Sequence, residues 1–237
     1  MNSLTYKSPK LVIALDTELE KAKKIIDVAL KFNFDIFKIG HLLFDVHPEI
    51  INYINKNGGK VLLDLKFHDI PTVISKALKA ILKKYKIWGF TLHTLGGQDM
   101  LKEVKKTIQN TDPKPIIFAV TILTSLAEKD LKVFKFKTNL KNTVLNLAKL
   151  AKNAGADGVV CSVKELEIIK KICGKNFLTL VPGININNQN PDQKRTDTIE
   201  KAISLGADYI VVGRSIYEEK NFQEKFEYIK KILNYPL

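Results

Sequence analysis

The sequence predicts an α/β protein made of a single domain, residues 1–237, in which eight parallel strands and their covering helices form a β/α (TIM) barrel. Short apolar runs rich in Val, Ile and Leu alternate eight times with segments whose apolar residues have helical spacing. Strands that are apolar almost throughout are typical of a parallel sheet covered by helices. An open, doubly wound sheet is the alternative, but no glycine-rich dinucleotide-binding loop follows the first strand.

The predicted strands are short, and most of their polar residues lie at their ends, as expected for strands buried on both faces. In chain order they are 11–16 (LVIALD), 35–40 (DIFKIG), 60–67 (KVLLDLKF), 87–93 (IWGFTLH), 116–123 (IIFAVTIL), 157–162 (DGVVCS), 177–182 (FLTLVP) and 208–213 (DYIVVG). In the segments that follow them, apolar residues recur every three or four positions, which places them on one face of a helix. These predicted helices are 18–31, 48–57, 72–84, 98–109, 139–153, 164–172, 195–205 and 222–234. Pro48 lies near the start of the second one, where a helix tolerates proline.

The chain is strongly basic, with a formal net charge of +13. Its lysines are scattered over the predicted helix surfaces, without a Lys/Arg run interleaved with aromatic residues and without a recognisable nucleic-acid-binding module. We therefore expect a solvated basic surface and no nucleic-acid partner. The only arginines are Arg195 and Arg214. Their positions are informative because the planar guanidinium binds phosphate in a bidentate way that Lys cannot reproduce.

The sequence also predicts a cytoplasmic protein with no membrane partner. No apolar run approaches the roughly eighteen residues of a membrane span, and the first residues contain no apolar signal segment. Cys161 and Cys173 match neither a disulfide framework nor a zinc-ligand set. Two lone histidines on different strands, His68 and His93, are more often core or loop residues than ligands. We therefore expect no metal site.

Polar residues are concentrated at the carboxyl ends of the predicted strands, where barrel enzymes carry their active sites. These residues are Asp16, Lys38, Asp64, Lys66, His93, Thr124, Ser162, Gly213 and Arg214. The opposite ends of the strands show no comparable set. The connection 182–195, rich in Pro, Gly, Asn and Gln, exceeds the usual length of a βα loop and is a candidate lid over this face.

The third predicted strand ends in a cluster of charge. Side chains alternate along a strand, so Asp64 and Lys66 point to one face, while Asp69 lies in the loop beyond and can return toward them. Burying an unpaired charge costs several kcal/mol, and charges placed at such a strand end are typical of functional sites. From the residues alone, simpler interpretations stay open. Backbone amides can satisfy Asp64, Asp69 can cap the next helix, and Lys38 can extend to the surface.

Seven motifs in chain order resemble those of the orotidine 5′-phosphate decarboxylase family, in its bacterial form, over nearly the full length of the sequence. They are LVIALD, FKIG, LDLKFHDIP, AVTILTS, DGVVCS, LVPGI and YIVVGRSI. The resemblance implies a homodimeric barrel that converts orotidine 5′-phosphate to uridine 5′-phosphate and carbon dioxide in pyrimidine biosynthesis, without metal or organic cofactor. A nucleotide is therefore the expected small-molecule ligand, and a second copy of the chain the expected protein partner.

The resemblance also implies roles for individual residues. Lys38, Asp64, Lys66 and Asp69 match an array of alternating charges in which Lys66 protonates a carbanion at C6 of the pyrimidine, and Asp69 and Ile70 reach the partner's site. Alternating charges keep one another ionised, and an ammonium already in place stabilises and then protonates a carbanion. The implied ribose, pyrimidine and phosphate contacts are Asp16, Thr124, Gln193, Gly213 and Arg214.

One position departs from the family pattern. Bacterial members carry Arg after Pro-Gly-Ile on the seventh strand as an additional phosphate ligand, and this sequence has Asn185 there. Losing such a charge-assisted contact costs about 1.5–3 kcal/mol of phosphate binding if nothing replaces it, so we expect weaker substrate binding with the chemical step intact. Lys194 and Arg195 are candidates to compensate, and the role of Asn185 itself stays open.

Two other functions are alternatives. A sister group of metal-assisted decarboxylases and aldolases, exemplified by 3-keto-L-gulonate 6-phosphate decarboxylase, shares the D-x-K-x-x-D-I-P element but carries Glu at the second-strand position to help bind Mg²⁺. Lys38 occupies that position here, and its charge would repel a metal. The other alternative is a barrel that has lost catalysis and acts as a basic nucleic-acid-binding or scaffolding protein, which the intact charged array disfavours.

Overall fold

Eight parallel strands form a closed barrel in the structure, a computed structural model that describes residues 8–186, 197–218 and 221–233. The strands are β1 (Lys10–Ala14), β2 (Ile36–Ile39), β3 (Lys60–Phe67), β4 (Gly89–His93), β5 (Ile116–Val120), β6 (Gly158–Val160), β7 (Leu178–Val181) and β8 (Tyr209–Val212). Each pairs with the next along the chain, and β8 pairs with β1. The predicted barrel is confirmed, and the open sheet is excluded because the sheet has no edge.

Helices cover the outside of the barrel. They are α1 (Leu19–Lys31), α2 (His41–Phe44), α3 (Ile50–Lys56), α4 (Pro71–Lys84), α5 (Gly97–Thr107), α6 (Glu128–Val133), α7 (Leu140–Asn153), α8 (Val163–Cys173), α9 (Ile199–Ser204), α10 (Arg214–Tyr217) and α11 (Phe222–Leu233). The eight predicted helices correspond to α1, α3, α4, α5, α7, α8, α9 and α11, although the start of the predicted 195–205 helix lies outside the described residues. The sequence analysis missed α2, α6 and α10, which have four to six residues each. Such segments are too short to show a helical period.

The alternation of side chains along the strands separates two apolar layers. In β1, Val12 points into the barrel, whereas Leu11 and Ile13 pack outward against the helices. The barrel interior is filled by Val12, Ala14, Ile36, Leu62, Phe118, Leu180, Tyr209 and Val211. Trp88, Phe118 and Tyr209 pack ring against ring there, with centroids 5.3 to 6.1 Å apart. The barrel is therefore a packed core, and a ligand has to bind at one of its ends.

The pairing of β3 with β4 is irregular at the carboxyl end. Leu63 lies opposite Phe90, and the next paired residues are Phe67 and Leu92, so four positions of β3 span two of β4. Lys66, inside this bulge, has φ +47°, which is uncommon for a residue with a side chain. Bulges re-aim side chains next to functional sites, and this one determines where Lys66 points.

None of the helices in the described ranges combines the length and the apolar character that crossing a bilayer requires.

Candidate active site

A cavity of about 270 Å³ opens at the carboxyl ends of the strands. Ala14, Leu180 and Val211 belong both to its lining and to the barrel interior, so the packed core forms its floor. Seven residues singled out in the sequence line this cavity, namely Asp16, Lys38, Asp64, Lys66, Thr124, Gly213 and Arg214. The structure thus brings together residues that are up to about two hundred positions apart in the chain.

A larger, open depression of about 810 Å³ lies at the opposite end of the barrel. Lys170 lines it, but its ammonium donates to Asp208 at 2.5 Å and to the backbone oxygens of Lys175 and Phe177 at 3.1 and 3.0 Å. This lysine therefore holds the amino ends of the last two strands together. We place the candidate site in the smaller cavity, where buried charges of both signs meet.

Charges alternate in sign across the floor of that cavity. The Lys38 Nζ atom lies 3.1 Å from Asp16 Oδ1 and 3.2 Å from Asp64 Oδ2. The Lys66 Nζ atom lies 3.0 Å from the same Asp64 oxygen. The side chains of Lys38 and Asp64 are only 12% and 11% exposed, whereas that of Lys66 is 42% exposed. Of the two lysines, Lys66 is therefore the one that has room to meet a ligand.

The buried members of the array stay charged because they face one another. Burial would by itself raise the pKa of Asp64, but Lys38, Lys66 and the Thr91 hydroxyl lower it to about 2. Burial would likewise lower the pKa of Lys38, and the carboxylates of Asp64 and Asp16 instead raise it above its ordinary value. At neutral pH Lys38 and Asp64 are therefore both charged, and the burial of the Lys38 side chain rules out the surface-extended Lys38 considered from the sequence.

Thr91, in the middle of β4, links the array to the bulge. Its hydroxyl donates to Asp64 Oδ1 at 2.7 Å and accepts from the backbone N–H of Lys66 at 3.0 Å. Within the described part of the chain, Asp64 is thus held by side chains and not by backbone amides. The sequence analysis did not single out Thr91; the only signal was a polar residue within an otherwise apolar strand.

Gly213, Arg214 and Tyr217 line the cavity after the last strand. Gly213 packs against β1, since a Cβ atom there would lie 3.1 Å from the Cβ atom of Ala14. This close packing brings Arg214 to the same cavity as Asp16. Tyr217 is a second lining residue that the sequence analysis missed, because α10 was not predicted. Its pKa is raised by burial and by the Asp16 carboxylate.

Asp69 and Ile70 do not line the cavity of their own chain. The Asp69 carboxylate accepts the backbone N–H of Ile70 at 2.7 Å, and no ion pair of Asp69 is found in the part of the chain that the structure describes. Ile70 is 62% exposed. Within one chain and among the described residues, Asp69 therefore forms no ion pair with Lys66, although the sequence had allowed one.

Two further candidates lie in or near the seventh-strand connection. Gln193 falls outside the described residues, as do Lys194, Arg195 and most of the predicted lid. Asn185 is described, and its backbone N–H donates to Asp197 at 3.0 Å. It lines a separate depression with Thr198 and Tyr228, not the charged cavity. Its neighbour Ile184 lines the cavity instead.

The two histidines pack together beside the site. The rings of His68 and His93 are stacked with centroids 5.2 Å apart, and His93 Nδ1 accepts the backbone N–H of Leu95 at 3.3 Å. Burial, His68 and Lys66 together lower the pKa of His93 to about 4, so its ring is neutral at physiological pH. Among the described residues, no group of three or more His, Cys, Asp or Glu side chains is placed to hold a metal ion. Cys161 and Cys173 are both buried free thiols.

Comparison with known proteins adds an independent observation. A model of the family described as "Orotidine 5'-phosphate decarboxylase / HUMPS family" matches residues 9–229. The chain is 41% identical over 221 residues to an orotidine 5′-phosphate decarboxylase of Carboxydothermus hydrogenoformans, covering 90% of this chain and 91% of that protein.

Solved structures show the same similarity. Orotidine 5′-phosphate decarboxylase from Lactobacillus acidophilus superposes with a TM-score of 0.83 at 33% identity, covering 97% of this chain and all of that one. Orotidine 5′-monophosphate decarboxylase from Methanocaldococcus jannaschii, solved in complex with the inhibitor BMP, superposes with a TM-score of 0.77 at 28% identity, covering 96% and 100%. The similarity therefore extends over the whole barrel.

Proposed function

The chain belongs to the orotidine 5′-phosphate decarboxylase / HUMPS family, and we propose that it converts orotidine 5′-phosphate to uridine 5′-phosphate and carbon dioxide. The observation that carries the proposal is the Lys38–Asp64–Lys66 array, which combines a buried carboxylate with an accessible ammonium at one cavity. Relatives that share the barrel bear the name of this activity.

The chemistry follows from the charges. Decarboxylation leaves an electron pair on C6 of the pyrimidine, and the Lys66 ammonium stabilises this carbanion and then transfers a proton to it. The C6–carboxylate bond breaks, a C6–H bond forms, and Lys66 regains its proton from solvent. Since Lys66 supplies both the positive charge and the proton, the proposed reaction uses no metal or organic cofactor. Asp64 faces the substrate carboxylate, a like-charge contact that is relieved as neutral carbon dioxide leaves.

The other end of the cavity fits the nucleotide. Arg214 offers a guanidinium for the phosphate beside the backbone of Gly213, and Asp16 offers a carboxylate for the ribose hydroxyls. Thr124 lines the same cavity and is a further contact near the pyrimidine and the ribose. Gln193 is proposed as a further phosphate contact on the resemblance alone. Binding energy gained at the phosphate orients the distant pyrimidine ring over Lys66.

We also propose that the enzyme is a cytoplasmic homodimer with shared active sites, acting in de novo pyrimidine biosynthesis. Of the nine large apolar side chains that are exposed among the described residues, five follow β2, β3 and β4, namely Leu42, Val46, Ile70, Val73 and Leu95. They lie on the segments that directly follow these three neighbouring strands, with Leu42 in α2 and Val73 in α4, and exposed apolar surface of this kind is typical of protein interfaces. Asp69 lies on the same face. It has no ion pair in its own chain within the described residues, and this supports a contact between Asp69 and the partner subunit.

The geometry disfavours the metal-dependent alternative. The Lys38 ammonium lies 3.2 Å from Asp64 and 3.1 Å from Asp16. Its positive charge would repel a metal ion bound to either carboxylate. Activity that disappears with EDTA and returns with Mg²⁺ would favour that alternative.

A spectrophotometric assay tests the proposal. Purified full-length chain in EDTA should consume orotidine 5′-phosphate, and Lys66→Ala should lower kcat by roughly 10³-fold or more, because both charge stabilisation and proton transfer are lost. Lys60→Ala is the matched control, since Lys60 lies at the opposite end of β3 and pairs with Asp35. Full activity of Lys66→Ala would refute the assigned role. Absence of turnover by the unaltered chain, with salt-sensitive RNA binding, would favour the binding alternative.

A further inference from the structure

Thr91 is a buried polar residue in the lining of the charged cavity. It lies in β4 between Phe90 and Leu92, lines the cavity and is 1% exposed. Its hydroxyl uses both of its hydrogen-bonding functions, as a donor to Asp64 Oδ1 and as an acceptor from the Lys66 N–H. One oxygen atom thus connects two members of the array.

The first of these bonds determines which oxygen of Asp64 the lysines use. Because Oδ1 is held by Thr91 at 2.7 Å, Oδ2 is left for Lys38 at 3.2 Å and Lys66 at 3.0 Å. Rotation of the carboxylate would break the hydrogen bond and both ion pairs together. Thr91 therefore selects the orientation in which a single oxygen lies between two ammonium groups.

The second bond holds the backbone from which the Lys66 side chain extends. At the bulge the strand pairing moves from Leu63–Phe90 to Phe67–Leu92, and the Lys66 N–H is bonded to the Thr91 hydroxyl. Lys66 also has a left-handed φ of +47°, which is unfavourable for a residue with a side chain. Such a conformation persists only where its surroundings hold it, and this hydrogen bond is part of that support.

We propose that Thr91 is a positioning residue for decarboxylation, whose hydroxyl orients the Asp64 carboxylate and the Lys66 backbone so that the ammonium points at the reacting carbon. This inference rests on the proposed function and extends it, since Thr91 touches the groups of the array and not the reacting atoms. It acts on the placement of Lys66, which matters for the chemical step more than for nucleotide binding.

Replacing Thr91 with Val tests the proposal, because Val keeps the shape of the side chain and removes the hydroxyl. We expect kcat to fall roughly tenfold to a hundredfold, as for a lost hydrogen bond to a charged group, with a change in KM of less than about threefold. Thr91→Ser should restore most of kcat. The acid limb of kcat/KM should move to higher pH in Thr91→Val, because a hydrogen bond that favours the Asp64 carboxylate is gone.

Thr121→Val is the matched control. Thr121 is also fully buried, it follows the neighbouring strand β5, and its hydroxyl donates only to the backbone oxygen of Val160 at 3.0 Å. It does not line the cavity. A similar loss of thermal stability in both variants, with kcat lowered only in Thr91→Val, supports positioning.

Three outcomes would overturn the inference. The first is an unchanged kcat in Thr91→Val. The second is a change in KM without a change in kcat. The third is an equal loss of kcat in the two Val variants. None of these outcomes contradicts the proposed decarboxylase activity, because the unaltered chain decarboxylates the substrate in the same assay. A chain that does not decarboxylate the substrate at all removes the proposed function and this inference with it.

Discussion

The lowered pKa of Asp64 makes folding stability depend on acid in a predictable way. The ordinary pKa of 3.8 applies in the unfolded chain, and the folded pKa is about 2. A group whose folded pKa is depressed stabilises the fold above its unfolded pKa and loses this contribution as pH falls through the folded pKa. The difference corresponds to about 2 kcal/mol at neutral pH, and about 1 kcal/mol of it should be lost on going to pH 3.

Urea unfolding of the unaltered chain and of Asp64→Asn measures this contribution. The signal is the fluorescence of the single tryptophan, Trp88, which packs against Phe118 and Tyr209. We expect the difference in the free energy of unfolding between the two chains to shrink by about 1 kcal/mol between pH 6 and pH 3. Protein concentration has to be kept constant, since the stability of an oligomer depends on it.

The other carboxylates also make the free energy of unfolding depend on pH. Both chains contain them, so their contribution cancels when the two free energies are subtracted. Asp35→Asn serves as control, because Asp35 forms its ion pair with Lys60 near the surface, where the side chains are 38% and 45% exposed. Exposed pairs are screened by water and contribute little. A difference between the unaltered chain and Asp64→Asn that stays constant or grows toward pH 3 would refute the assignment of a buried, charge-stabilised carboxylate.

Two further predictions concern the shared site and the phosphate. Mixing inactive Lys66→Ala and Asp69→Ala chains should restore up to about a quarter of normal activity, because random mixing makes half of the dimers mixed and one of their two sites receives both native residues. Steady-state rates of the mixture measure this, and recovery no greater than the sum of the parents would contradict cross-subunit sharing. Asn185 lines a neighbouring depression but directly follows the cavity residue Ile184, and Asn185→Arg should lower KM for orotidine 5′-phosphate by about tenfold with kcat unchanged, since the longer side chain adds a charge-assisted contact. An unaltered KM would show that position 185 does not reach the phosphate.

The order of the strands and the face that carries the chemistry were predictable because both depend on local patterns. Apolar runs such as 116–123 and helical spacing such as that of 139–153 mark the elements, and the parallel arrangement places all carboxyl ends together. Asp64 and Lys66 were identified because charged residues in an apolar strand are unusual. Arg214 was identified because it follows the eighth strand and is one of only two arginines, and the family resemblance added its role at the phosphate.

The contacts of Thr91 were not predictable, because they depend on the register between two strands. Thr91 meets Asp64 and Lys66 only because four positions of β3 span two of β4 at the bulge. Nothing in the run of residues 87–93 marks such a shift. The burial of Lys38, which turns a possible surface lysine into a charged group held by two carboxylates, likewise requires the closed barrel.

By itself, the sequence determined the barrel, the end of it that carries charge, and the residues that supply that charge, because hydrophobic period and residue type act locally. Only the tertiary structure decided how the charges meet, with one Asp64 oxygen between two ammonium groups, and that Asp69 and Ile70 do not line the cavity of their own chain. The physical reason is that hydrogen bonds and ion pairs require separations of about 3 Å. Distances of this kind depend on strand register and barrel closure, which no single segment of the chain specifies.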